Sequence, residues 1–246
     1  TYAKLYLSVV PCPRTRDTGS EIAMKSQDIV LLLKLVSLAQ SEKALKAGEL
    51  PTRATKALPD WQDWELDVEQ SSLDLEPHWS RHELHERFIT EQYGIRALEK
   101  STGISRTQIS LALKRCYAVG LAKPERSTGT PRVNSKALFE FIVYGLRYVF
   151  PAAAGAVTRG ISTSLGAPVL EGKLMTAGEF LPVWPDARGN TKGVSVEPLY
   201  KSVPYAVRQD QQLYALLALT DAIRLGQPRE RKLAESQLYV LIREGD

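Results

Sequence analysis

From Ser26 to Gln40 the chain carries Ile29, Val30, Leu31, Leu32, Leu33, Leu35, Val36 and Leu38, and almost no polar face is left. A helix apolar all round is buried on every side, in a core or at a subunit interface. Ser26 is placed to cap it, with Asp28 in the first turn. Residues 41–78 break the pattern: they are acidic and interrupted by Gly48, Pro51, Pro59 and Pro77, with Trp61 and Trp64 expected to dock the segment onto the rest. Ser80-Arg81-His82-Glu83 has the spacing of a capping box, and Leu84 and Phe88 follow at helical spacing.

Residues 151–205 contain six Pro and seven Gly, a density that predicts short strands or an extended, docked segment rather than long helices. Helical periodicity returns near Ala206, where Leu213, Leu216, Leu217 and Thr220 share a face and Gly226 and Pro228 punctuate the end. A last helix from Pro228 aligns Ala234, Leu238, Leu241 and Ile242. Residues 1–23, with Pro11, Cys12 and Pro13, read as a leader or a peripheral extension.

The stretch from Tyr93 to Asn134 is the most specific. Ile95 and Leu98, with Arg96, Glu99 and Lys100 between and after them, predict a short amphipathic helix. Ser101-Thr102-Gly103-Ile104 breaks it, Gly103 supplying the positive φ of a tight turn. Ser105-Arg106-Thr107-Gln108 is a second capping box, so a new helix starts at once. In that helix Ile109, Ala112, Leu113 and Cys116 face inward by spacing, and Gly120 ends it. Two helices joined by a Gly-containing turn of about four residues make a helix-turn-helix. Leu121-Ala122-Lys123, the turn Ser127-Thr128-Gly129-Thr130, and Arg132-Val133-Asn134 then predict a basic β-ribbon. Asn134-Ser135 opens another helix with Leu138, Phe139, Ile142 and Leu146 on its stripe.

This order of helix, turn, helix, basic hairpin and helix resembles the winged helix-turn-helix DNA-binding regulators. Ile95-Arg96-Ala97-Leu98-Glu99-Lys100-Ser101-Thr102-Gly103-Ile104-Ser105 is similar to the segment leading into the recognition helix of MarR-like members, and Ala118-Val119-Gly120-Leu121 to their close before the wing. The resemblance covers about residues 26–40 and 80–150. It implies a mainly α fold with a small β wing (α+β): a winged helix-turn-helix domain over 24–150, with 41–78 as an acidic insertion. A Pro/Gly-rich segment and a C-terminal helical pair follow over 151–246, for dimerisation or sensing.

In such proteins the N-terminal part of the second helix meets base edges in the major groove. Thr107, Ser110, Leu111, Lys114 and Arg115 are expected on its outer face, with Arg106 at its start. Arg106 suits guanine, because its planar fork fits O6 and N7. Thr107 and Ser110 suit bases or phosphate, Leu111 a thymine methyl, and Gln108 adenine where capping does not occupy it. Lys114 and Arg115 are expected on backbone phosphate. Lys123, Arg126 and Arg132 of the wing are expected along phosphate or in the minor groove.

Composition sharpens this. The 246 residues have a formal net charge of +4, but residues 101–165 hold nine basic and two acidic side chains, whereas 41–100 hold eight and thirteen. A basic excess confined to one segment suggests a polyanion partner for it. An apolar content of 43% is that of a folded protein, and no run approaches the roughly 18 apolar residues of a membrane span. Two cysteines, Cys12 and Cys116, provide neither a disulfide framework nor a zinc quartet, so a cytoplasmic setting is expected.

Other signals are weaker. His78, His82 and His85 cluster with Glu86 but lack the HExxH spacing and read as a solvated group, with no metal expected. Thr158 to Thr163, with Arg159, has the composition to clasp an anion, to extend along DNA beside the wing, or to pack as a surface loop at a domain junction. Arg229, Arg231 and Lys232 open the last helix, where cations oppose the helix dipole. No Walker A, GxGxxG or GxSxG motif is present. The expectation is therefore a homodimeric regulator on double-stranded DNA, a repressor without enzymatic chemistry, cofactor or membrane. Helix 26–40 and the C-terminal pair are its candidate dimer interface. The alternatives are an antitoxin-like or defence-system subunit that binds protein through a winged helix, or an enzyme whose site lies in 151–205. That segment has no histidine or cysteine and only Glu171, Glu179, Asp186 and Glu197 as carboxylates.

Overall fold

The computed structural model describes residues 23–48, 81–170, 172–173 and 180–244. Helix α1 (Ser26–Ala47) is its axis. Ile29 to Leu33 are fully buried, and Leu35, Val36 and Leu38 nearly so, as an all-apolar surface requires. The helix starts on Lys25 rather than Ser26: the Lys25 N–H donates to the Asp28 carboxylate at 2.9 Å. It also runs seven residues past Gln40, because Ser41 to Ala47 are mostly good helix formers, and stops at Gly48 with φ 83°. That apolar surface is covered by the chain's own elements, so it has no free face for a second copy, contrary to the expected dimer interface.

Helix α2 (Arg81–Gln92) follows, and its expected cap at Ser80 lies outside the described residues. Trp61 and Trp64 lie outside them too. Helix α3 (Ile95–Thr102) ends at Gly103 with φ 68°, and α4 (Arg106–Ala118) begins after Ser105. Leu98, Ile104, Ile109, Ala112 and Cys116 are buried without residual exposure. A hairpin of β1 (Ala122–Pro124) and β2 (Pro131–Val133) pairs Ala122 with Val133, one residue off the expected limits. Gly129 turns it with φ 70°. The Asn134 side chain accepts the Ala137 N–H at 3.2 Å and opens helix α5 (Ser135–Glu140), which passes through a π turn (Phe141–Gly145) into α6 (Leu146–Val149). Leu138, Ile142 and Leu146 are buried on the predicted stripe.

The Pro/Gly-rich stretch builds three short strands, β3 (Ala154–Ser162), β4 (Pro182–Pro185) and β5 (Thr191–Val196), each pairing with both others. Glycine makes this closure possible: a Cβ on Gly160 would overlap the Trp184 carbonyl, and one on Gly193 the Leu181 carbonyl. Helices α7 (Val203–Val207), α8 (Gln211–Leu225) and α9 (Pro228–Glu244) complete the chain. Leu213, Leu216, Leu217 and Thr220 of α8 are buried, as are Ala234, Leu238 and Ile242 of α9. One apolar cluster contains α1, α4 and α5 side chains together with Trp184 and α8, so buried residues from both sides of residue 150 share a core.

Polar groups fix how these parts meet. Buried Asp221 accepts from Trp184 Nε1 at 2.6 Å and Thr163 Oγ1 at 3.2 Å and pairs with Arg224 at 2.6 Å, tying the strands to α8. Asp210 caps α8 through the Leu213 N–H at 2.9 Å and accepts from Lys34 at 2.8 Å and Ser37 at 2.6 Å. Ser202 and Tyr205 donate to the Thr102 and Lys100 carbonyls at 2.6 and 2.8 Å, capping the end of α3. Among the described residues no helix is long and apolar enough to cross a membrane.

A Cβ on Gly103 would meet the Ser202 Cβ at 2.9 Å while holding a left-handed φ. Gly103→Ala is therefore expected to cost about 1–2 kcal/mol in urea unfolding from the backbone alone, and Gly103→Ala/Ser202→Gly to recover the steric part. An unchanged midpoint for Gly103→Ala would contradict this packing.

Candidate nucleic-acid interface

Helix α4 is amphipathic in a literal sense. Its inner face is sealed by Ile109, Ala112 and Cys116, and burial pushes the Cys116 thiol up to about 12. Its outer face presents Arg106, Thr107 and Lys114, with Leu111 39% exposed and Ser110 half-buried. The expected capping box at Ser105 does not form, since Ser105 makes no side-chain cap bond. Gln108 instead accepts from Gln27 Nε2 at 2.6 Å, which removes it from the outer face. Glu99 takes over the cap: its carboxylate accepts the Arg106 N–H at 3.4 Å and pairs with Arg106 Nε at 2.8 Å. Arg106 is exposed and Glu99 half-buried at the surface, so the ion pair is worth at most about 1 kcal/mol.

Two of the expected phosphate contacts are corrected. Arg115 does not point outward. It is 6% exposed, with Nε and Nη2 on the two oxygens of fully buried Asp28 at 2.8 and 2.6 Å. Arg115, three positions after buried Ala112 and next to buried Cys116, flanks the inner face, where the Asp28 carboxylate of α1 meets its fork. Arg132 is likewise drawn inward: it binds Glu42 through two nitrogens, Glu125 at 2.9 Å and the Tyr93 hydroxyl at 3.2 Å. Of the hairpin cations, Lys123 and Arg126 remain exposed, and their side chains have no hydrogen bond or ion pair among the described residues; the same is true of the Lys114 side chain on α4.

Glu42, two residues beyond the end of the predicted helix, is the hub that sequence inspection missed. Besides Arg132 it accepts from the Tyr93 hydroxyl at 3.0 Å, from Lys46 at 2.8 Å and from His85 Nε2 at 2.9 Å. Burial alone would raise its pKa. The hydrogen bonds from Arg132, His85 and Lys46 outweigh burial and hold it well below the usual carboxylate range. Of the histidine cluster, His78 lies outside the described residues, and His85 serves this network. No group of three metal-ligating side chains occurs among the described residues. The basic excess of 101–165 is thus partly internal: Asp28 and Glu42, from outside that window, neutralise two of its nine cations.

Breaking the Asp28–Arg115 pair from one side leaves a buried charge alone. Arg115→Leu is expected to lose about 3–5 kcal/mol in denaturant unfolding, and Asp28→Leu/Arg115→Leu to lose much less; equal losses would contradict the pairing. A carboxyl whose folded pKa is depressed stabilises fully above its unfolded value and loses that contribution as pH falls. Wild type is therefore expected to exceed Glu42→Gln in stability at pH 7, with the gap closing as pH drops below about 4.5. A gap constant from pH 7 to pH 3 would refute the network.

Comparison with protein-family models, with curated proteins and with solved structures finds no match to the chain, so its function has to be read from the residues themselves.

Proposed function

We propose that the chain is a sequence-specific DNA-binding transcription regulator of the winged helix-turn-helix type, occupying an operator as a homodimeric repressor. The observation that carries this is the division of α4. Its inner face is clamped by apolar packing and the Asp28–Arg115 pair, while Arg106, Thr107, Leu111 and Lys114 stand outside, unpacked. A helix held this way can enter a major groove without rearranging. Gly103 and the Glu99 cap set the start of that helix, and the adjoining hairpin adds Lys123 and Arg126, which are free to meet phosphate.

Homodimerisation is part of the proposal because paired recognition helices on a two-fold operator are the common route to specificity. With α1 enclosed, the apolar side chains left exposed for a second copy include Tyr144 and Tyr148 and, on α9, Tyr239 and Val240.

Selection from a random duplex library followed by anisotropy titration between 50 and 200 mM NaCl tests the proposal. Affinity is expected to fall steeply with salt. Arg106→Ala is expected to weaken binding about 5- to 150-fold, the worth of a bidentate guanine contact. Lys114→Ala should flatten the log–log salt slope by about 0.9. Absence of sequence enrichment, or salt-independent binding, would reject DNA recognition by this helix.

A further inference from the structure

Arg159 on β3 and Lys192 on β5 are direct cross-strand partners. Opposed residues of an antiparallel pair lie on one face with Cβ atoms about 4.5–5.5 Å apart, and like charges there are destabilising. Both side chains are exposed, and neither has a carboxylate partner among the described residues. Asp186 adjoins Arg159 through the backbone, its N–H donating to the Arg159 carbonyl at 3.2 Å. Its carboxylate turns away, pairing with Arg208 at 2.9 Å and accepting the Arg188 N–H at 2.7 Å.

The surroundings add cation and ring. The turn from Asp186 to Gly189 closes with a 3.0 Å hydrogen bond, and Gly189 is pressed onto the backbone of Gly160, the residue after Arg159. The exposed Arg188 is therefore carried beside the pair. Lys192 Nζ lies 5.8 Å from the centroid of the Phe180 ring, itself 36% exposed. Positive side chains that share a face without an internal counter-ion leave a position between them that an oxyanion can fill, and phosphate suits both an Arg fork and a Lys point charge. An adjacent exposed ring is what a nucleobase stacks on.

We propose that Arg159 and Lys192, with Arg188 on the adjoining turn, form a second phosphate site, separate from α4, that takes a backbone phosphate of a nucleic-acid strand and offers Phe180 to a base. The phosphate chemistry follows from the pair itself; its assignment to nucleic acid rests on the DNA-binding proposal. The repulsion between the two cations is the stability given up for this site.

The test uses the full chain in three arms: a labelled 24-nucleotide duplex, the corresponding single strand, and inorganic pyrophosphate read by thermal shift. Arg159→Ala/Lys192→Ala is expected to weaken binding to the duplex or the single strand at least fivefold in 50 mM NaCl. It should also lower the log–log salt slope by about 1.8 on the duplex or about 1.4 on the single strand. Lys192→Glu, which turns a repelling pair into an attracting one, is expected to raise the ligand-free Tm by about a degree or more while binding falls. Unchanged nucleic-acid affinity in the double variant overturns the proposal, and so does a pyrophosphate shift lost in that variant without loss of nucleic-acid binding, because the site then serves a free phosphate compound. Loss in Arg159→Ala/Lys192→Ala with Arg106→Ala unaffected supports this site and removes the role of α4. Loss in Arg106→Ala alone does the reverse.

Discussion

The bidentate pair between Asp28 and Arg115 is the constraint on which the arrangement around α4 depends. Apolar packing is non-directional; it would hold α4 against α1 but leave its rotation and register loosely defined. A planar guanidinium on a carboxylate is directional in both respects. Because Asp28 also receives the Lys25 N–H, one carboxylate sets where α1 starts and which way α4 faces. The outward set Arg106, Thr107, Leu111 and Lys114 follows from that orientation.

The same device recurs along α1. Its first four turns are mostly apolar, and several of its polar side chains go to different elements. Asp28 takes α4, Lys34 and Ser37 take Asp210 at the start of α8, and Glu42 takes Arg132 of the hairpin. Buried ion pairs add little net stability over apolar residues of the same shape, but leaving one partner unmatched is expensive. Their effect here is to disfavour misplaced arrangements: an α4, α8 or hairpin docked one turn away would strand a charge in the core. The Ser202 and Tyr205 hydrogen bonds to the end of α3 extend the rule to the C-terminal part.

Much of this was legible in the sequence where the signal is local. The helices at 26, 95, 106, 135 and 228, the Gly103 turn and the inward set Ile109, Ala112 and Cys116 follow from periodicity and turn chemistry, whereas the helix expected from about Ala206 is split into α7 and, from Gln211, α8. The strands of 151–205 were foreseen as short, but not their mutual pairing, which depends on glycines meeting carbonyls distant in sequence. Arg115 and Arg132 were misplaced for one reason. Periodicity assigns a cation to a solvent face unless a carboxylate is known to wait on the other side, and Asp28 and Glu42 are separated from them by 87 and 90 positions. Glu99 as the cap of α4 was hidden similarly, since Ser105 has the composition of a cap and Glu99 belongs to the preceding helix.

The separation of the two faces of α4 has an evolutionary consequence. Substitutions at Thr107, Leu111 or Lys114 touch nothing that holds the helix in place, so they can accumulate without eroding the fold. Substitutions at Asp28, Arg115 or Ile109 are filtered by stability before any function is tested. Descendants of this chain would therefore be free to drift in the chemistry of that outer face while keeping one scaffold, and a designer could rewrite the outer positions as a set on the same grounds.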